Sequence, residues 1–354
     1  MSLPEWRKEI DQIDEQILHL LNRRAELARQ IGHAKSRTRS HYFTPEREHT
    51  VFRRLVQMNP GPLEAHAVRA IYREIISACR ALEKPLTVAF LGPEGTFSHL
   101  AGIARFGSSS EFVPVERIAE VFAQVERGLC DYGVVPVENS WAGAVPETLD
   151  SFLNSNLRVV WEIYQPIYHN LLSRCTALEE IKRLYSHFQP LAQCRQWLRN
   201  HLPHVEEIEA SSTAKAAELA SRDPESAAIA TYLAAEKYDL PILCEHIEDD
   251  PTNRTRFLVL GYNEPEPTGK DKTSLIFTVP NRAGELAHAL NAFEKYDVNL
   301  TMIETRPTRS APWQYFFYVD LQGHVKDMAV SKALNLLKEH SLFVRVLGSY
   351  PEAS

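Results

Sequence analysis

Residues 253–257 read Asn253-Arg254-Thr255-Arg256-Phe257, after an acidic turn, Glu248-Asp249-Asp250-Pro251, and before an apolar run from Phe257 to Leu260. The run predicts a buried strand. A hydroxyl and two guanidiniums therefore stand at its mouth, where loop residues often carry function. An arginine's planar fork binds carboxylates bidentately, so the stretch suits a carboxylated ligand. Alone it fits a polar strand entry with solvated charges equally well. Four more loops of this kind lie upstream. Gly92-Pro93-Glu94-Gly95-Thr96-Phe97-Ser98 follows a strand, Leu86 to Leu91, and opens a helix; backbone N–H groups at such a start can hold an anion. Pro136-Val137-Glu138-Asn139-Ser140 follows a strand at Tyr132–Val135, after a helix over about 116–128. Ser186-His187-Phe188-Gln189-Pro190 and Ser211-Ser212-Thr213 precede helices, the latter as an N-cap cluster. Strands near 157–163, 168–173 and 183–185 alternate with helices. Polar groups at strand ends are where open α/β sheets bind ligands. The pattern predicts two α/β lobes with a cleft between them.

Composition bounds the rest. A chain of 354 residues suggests roughly two or three domains. Its 44% apolar and 24% charged residues are ordinary for a soluble protein. No run approaches the ~18 apolar residues of a membrane span, and the charged N-terminus lacks a signal core. Five scattered cysteines exclude a complete disulfide framework and any CxxC motif, which fits a reducing cytoplasm. Residues 1–84 hold 15 Lys+Arg and 11 Asp+Glu, a net +4 against −11 for the remainder. That excess is too small to imply nucleic acid. No dinucleotide fingerprint occurs.

The first 84 residues read as helices over 4–35, 45–58 and 63–83. Ile10, Ile13, Ile17, Leu20, Leu21, Leu27, Ala28 and Ile31 recur at helical spacing. The shorter helices cannot cover the first along its length, so a partner chain is the expected cover. Arg7, Arg24 and Lys35 fall on the same stripe. Cations there are costly unless paired or snorkelling, and with Arg47-Glu48 they fit a pocket for a dianion.

These residues, with Pro45-Glu46-Arg47-Glu48 and the run from Ile71 to Glu83, resemble an all-helical chorismate mutase. The resemblance implies an intertwined dimer that binds chorismate, with Arg7 supplied across the dimer and Arg24 on a carboxylate. It also places Lys35 on the ether oxygen and Glu48 on the substrate hydroxyl. Thr44, Cys79 and Glu83 stand where some members have Asp, Ser and Gln. Gln would donate to the ether oxygen, so Glu83 has to be protonated to take that role.

From about 86 to 261, GPEGTFS, PVENS, SHFQ, SSTAKAAE and NRTRF follow in an order that resembles prephenate dehydratase, a bilobal α/β fold like the type II periplasmic binding proteins. Phe188 replaces the usual Pro. The family's essential threonine maps to Thr255, and Glu138, Asn139, Ser140, Thr213 and Arg256 fall on its cleft motifs. After a polar linker, 262–272, come strands at Thr273–Val279, Asn299–Glu304, Trp313–Leu321 and Phe343–Leu347, with helices over 284–295 and 327–340. This α+β βαββαβ order carries Asn281-Arg282-Ala283-Gly284-Glu285-Leu286 and Glu304-Thr305-Arg306-Pro307. Both segments resemble motifs of the ACT domain and imply a phenylalanine site at a domain interface.

The expectation is a multidomain protein: an all-α mutase part (1–84), a bilobal dehydratase part (85–263) and an ACT part (271–350). It would convert chorismate to prephenate and then to phenylpyruvate under phenylalanine feedback, without cofactor or metal, as a homodimer or larger. A dehydratase with an inactive mutase, or a non-catalytic sensor of aromatic acids, stays open at this point.

Overall fold

Why the first helix needs company is plain from its surface. The computed structural model describes residues 2–38, 45–307 and 315–353, except the side chains at 33, 35–38, 45, 46 and 49. It forms two compact units, one running to Thr87 and including Ile103–Glu111, the other holding Val88–Gly102 and the chain from Phe112. In the first unit, α1 (Leu3–Thr38), α2 (Pro45–Met58) and α3 (Ala65–Ala81) are amphipathic. Trp6, Ile10, Ile13, Ile17, Leu20, Leu27 and Ile31 of α1 are all exposed within this chain. A row of that length on a soluble protein marks an interaction surface. Near its C-terminus α1 does meet its own chain: a Cβ at buried Gly32 would sit 2.8 Å from Glu83 Cβ. Glycine there permits the approach. Glu48 on α2 is gripped by Arg80 at 2.6 Å and Arg105 at 2.8 Å, both nearly buried.

From Thr87 on, β1 (Thr87–Leu91), β2 (Glu111–Val115), β3 (Tyr132–Asn139), β4 (Gly143–Ala144) and β5 (Arg158–Pro166) are connected by α4 (Phe97–Phe106), α5 (Ile118–Glu126) and α6 (Pro146–Leu153). The chain then builds a second sheet from β6 (Asn170–Ser173), β7 (Arg183–Ser186), β8 (Glu206–Glu209), β9 (Ser226–Ala230) and β10 (Ile242–Cys244). Its helices are α7 (Phe188–Gln193), α8 (Arg195–His201), α9 (Thr213–Ser221) and α10 (Tyr232–Tyr238). It returns as β11 (Arg254–Gly261), so the first sheet has the order β2-β1-β3-β11-β5, with β4 paired to β3, and the second β10-β6-β9-β7-β8. The lobes are thus joined by two crossings, after β5 and before β11.

The C-terminal sheet, β13-β14-β12-β15, is built from β12 (Asp271–Thr278), β13 (Leu300–Pro307), β14 (Tyr315–Gln322) and β15 (Phe343–Pro351), with α11 (Glu285–Lys295) and α12 (Met328–Glu339). Alternation gives β12 two apolar faces. Leu275 and Phe277 pack with Phe293, Ala333 and Leu337 of the two helices. Ile276 packs with Phe152, Val159 and Leu258 of the first lobe. The two sheets approach so closely that a Cβ at Gly348 would lie 2.1 Å from the Val159 carbonyl oxygen.

Two expectations need correction. The polar stretch 262–272 is not wholly a linker: Asp271 and Lys272 are 5% exposed and begin β12. Lys272 looks like a solvated linker charge in sequence, but it bonds Glu162, a carboxylate 110 residues away. The strand beginning at Tyr132 does not stop at Val135. It absorbs Pro136 through a register shift opposite Arg256 and Phe257, and it runs to Asn139. A proline tolerated at a bulge reads locally as a terminator.

Candidate functional site

Thr255 owes its direction to β11. Its neighbours in register are Asn139 on β3 and Gln165 on β5. Thr255 and Phe257 face a cavity of about 520 Å³ between the two lobes, lined also by Asn139, Ser98, His169, His187 and Thr213. Arg256, one residue on, points the other way and is 3% exposed. Its Nε donates to Glu162 at 2.8 Å, its Nη1 to Asp320 and its Nη2 to Tyr350 at 2.9 Å. The expected role of Arg256 in the cleft is therefore corrected: a strand's period of two cannot turn adjacent side chains to one face. Glu138, paired with Arg256, and Ser140 likewise do not line the cavity. Ser140 instead accepts from the Arg254 N–H at 2.9 Å and ties the two strand ends together.

Asn139 is the side chain that prepares Thr255. Its Oδ1 accepts from the N–H groups of Trp141 at 3.0 Å and Ala142 at 2.9 Å, which fixes the orientation of the amide. Its Nδ2 must then face Thr255 Oγ1 and Asn253 Oδ1, each 2.9 Å away. The threonine oxygen accepts that bond, and its own proton is left to donate toward the cavity. A donor on Oγ1 also stabilises the negative charge that grows as the proton leaves. Asn253, 2% exposed, completes the arrangement.

The cavity does not present the cleft arginines that were expected. Among the described residues lining the cavity, Arg117 is the single Lys or Arg, and it is exposed and forked onto Glu120 at 2.9 and 3.1 Å. The positive ends of two helices face the space instead. Thr96 and Ser98 stand at the start of α4; Ser211, Ser212 and Thr213 stand at the start of α9, where Ser212 caps Lys215 N at 3.0 Å. Helix N-termini with hydroxyls bind carboxylates through backbone N–H groups. His187 caps α7, and burial lowers its pKa, as burial also lowers that of His169. In both, burial favours the neutral imidazole. His169 Nε2 lies 2.7 Å from Gln193 Oε1. His169 and Gln193 were not singled out from sequence; a lone histidine before an apolar run carries no distinguishing signal. Phe188, first in α7, is exposed. Among the described residues no group of three or more His, Cys, Asp or Glu could hold a metal ion.

In the helical unit, Arg7 and Arg47 are exposed, and Arg24 reaches the Ile75 carbonyl at 3.5 Å. Cys79 is buried and Glu83 adjoins Gly32. Thr44 and the Lys35 side chain lie outside the described residues. Seventeen residues of helix separate Arg7 from Arg24 by ~25 Å, so one copy cannot place both on one small dianion. In the C-terminal part, Gly284 (φ +85°) precedes α11, Asn281 is exposed and Leu286 joins the local core. Glu304, Thr305, Arg306 and Pro307 lie on edge strand β13, where Arg306 is forked onto Asp150 at 2.9 and 3.0 Å.

Models of three families match the chain in succession: chorismate mutase type II over residues 6–84, prephenate dehydratase over 88–265 and the ACT domain over 273–335. A bifunctional chorismate mutase/prephenate dehydratase of Aquifex aeolicus is 48% identical, with 99% of this chain and 98% of that one covered. The chain belongs to the bifunctional chorismate mutase/prephenate dehydratase family. A member from Pseudomonas aeruginosa is 44% identical over the same shares of each chain. The solved prephenate dehydratase of Arthrobacter aurescens in complex with L-Phe superposes with a TM-score of 0.71 at 37% identity, covering 76% of this chain and 90% of that one.

The geometry makes Asn139→Asp an informative change in this family member. Aspartate keeps an oxygen for Trp141 and Ala142 but offers Thr255 no donor. Its dehydratase kcat is expected to fall about 10²–10³-fold, as on removal of one transition-state donor. KM should change far less, and chorismate consumption should be unaffected. Steady-state rates on prephenate check this; an unchanged kcat contradicts the role given to Asn139.

Proposed function

We propose that the chain catalyses two successive reactions: residues 1–84 rearrange chorismate to prephenate, residues 85–263 convert prephenate to phenylpyruvate, and residues 271–350 confer phenylalanine control. The observation that carries the second reaction is a cavity-facing Thr255 hydroxyl whose oxygen already accepts from Asn139. Prephenate loses its ring hydroxyl and a carboxylate. Thr255 passes its proton to the departing oxygen, which leaves as water, and Thr255 takes a proton back from solvent through the cleft. The C–C bond to the carboxylate breaks, CO2 departs, and the electron pair completes the aromatic ring. The helix starts at Ser98 and Thr213 hold the carboxylates through oriented backbone N–H groups.

The mutase step is unimolecular and needs a held conformer with charge stabilised on the ether oxygen. Arg24, Lys35, Arg47, Glu48 and Glu83 are assigned to it by resemblance, with Thr44 and Cys79 beside them. Arg7 comes from a second copy, because the exposed apolar face of α1 and the separation of Arg7 from Arg24 both call for one. The functional unit is then a homodimer or larger. An Ile10→Asp, Ile17→Asp variant should sediment as a smaller species than wild type and lose chorismate consumption while retaining prephenate turnover. Equal sedimentation of the two proteins contradicts the pairing.

The direct check is a coupled assay from chorismate. Wild type should yield phenylpyruvate, whereas Thr255→Val should accumulate prephenate with the dehydratase rate down by at least about 10²-fold. Binding of prephenate without turnover by wild type would mark a sensor instead.

A further inference from the structure

Four buried charges meet behind Thr255. Arg256, Glu162, Lys272 and Asp320 are between 0% and 5% exposed. They come from β11, β5, β12 and β14, so two strands of the first lobe and two of the C-terminal sheet contribute. Lys272 Nζ lies 3.0 Å from Glu162 Oε1 and 3.0 Å from Tyr164 OH. Ser274 Oγ donates to Asp320 at 2.5 Å and lies 2.6 Å from Tyr350 OH, which in turn accepts from Arg256. The signs balance, two against two. Any movement of the C-terminal sheet that separates one partner leaves an uncompensated buried charge, so the sheet and Arg256 must move together or the network must break.

Arg256 shares a peptide bond with Thr255, and the register shift in the β3 pairing falls between Arg256 and Phe257. One of the two register shifts along β11 therefore falls beside Thr255. Strand β13, which carries Glu304 to Pro307, touches the same network through Met302 Sδ, 3.6 Å from Arg256 Nη1. It has a second hold on the lobe through Arg306 and Asp150 of α6, the helix whose Glu147 lines the cavity. We propose that Arg256 is a positioning residue for Thr255, and that the buried network around it carries phenylalanine control from the C-terminal sheet to the dehydratase cleft. This rests on the dehydratase reading above.

Tyr350→Phe removes one acceptor from Arg256 and keeps the buried ring; Arg256→Lys keeps the charge and loses the fork. Both are measured in the full-length chain for prephenate kcat and KM, for the phenylalanine concentration giving half-inhibition, and for the chorismate rate. The dehydratase reading is established first by prephenate turnover of wild type; its absence there would sink that reading and this one together. With wild type active, Tyr350→Phe is expected to lower kcat with KM within about twofold and to shift half-inhibition at least about fivefold, the lower end of ordinary allosteric coupling. The chorismate rate should hold. Arg256→Lys should shift both quantities further in the same direction. A raised KM at constant kcat would make Arg256 a substrate ligand. A lower melting temperature with kcat and half-inhibition unchanged would make the network structural only. Either result overturns the proposal while leaving the dehydratase reading intact.

Discussion

The period of two along β11 governs the second unit. One residue, Thr255, turns to the cleft; the next, Arg256, turns to a buried ionic junction. Neither placement can change without the other, because a slip of one residue would drive a guanidinium into the cavity and take it from Glu162 on β5 and Asp320 on β14. β11 is held on both sides, by β3 and β5, and is the second of two crossings between the lobes. The cleft, one link between the lobes and the contact with the C-terminal sheet therefore converge on eight residues.

Burial gives that junction its rigidity. Arg256, Glu162, Lys272 and Asp320 would be expensive in isolation, and each is matched by a hydrogen-bonded partner of opposite sign. For Lys272, burial opposes the charge, but Glu162 and Tyr164 favour it and the net pKa is raised. The apolar surround shared by Ile276, Tyr318 and Leu347 with Phe152 and Leu258 keeps water out. The C-terminal sheet and the first lobe thus share one core. That sharing gives a regulatory part a route to chemistry it does not touch.

Much of this was legible in the sequence. Helical spacing in α1 exposed its apolar stripe, and the order of five polar loops located the cleft and Thr255. The remainder failed for identifiable reasons. Which face a side chain takes depends on what covers the sheet, so Arg256 read as a ligand although it serves the junction. Pro136 hid the continuation of β3, because only the pairing register shows that a bulge accommodates it. Lys272 looked like linker charge, its partner being 110 residues distant. The helix start at 95–98 was legible as a place for an anion, whereas Ser211-Ser212-Thr213 read only as an N-cap. The amide of Asn139 could be oriented only once the N–H groups of Trp141 and Ala142 were in place.

The central claim is that Thr255 faces the substrate while Arg256 does not. It is tested most directly by a crystal structure with a prephenate analogue that cannot decarboxylate. The account predicts analogue carboxylates at the starts of α4 and α9 and the ring hydroxyl within hydrogen-bond distance of Thr255 Oγ1. Arg256 should remain on Glu162, Asp320 and Tyr350. An analogue carboxylate held by the Arg256 guanidinium would contradict it.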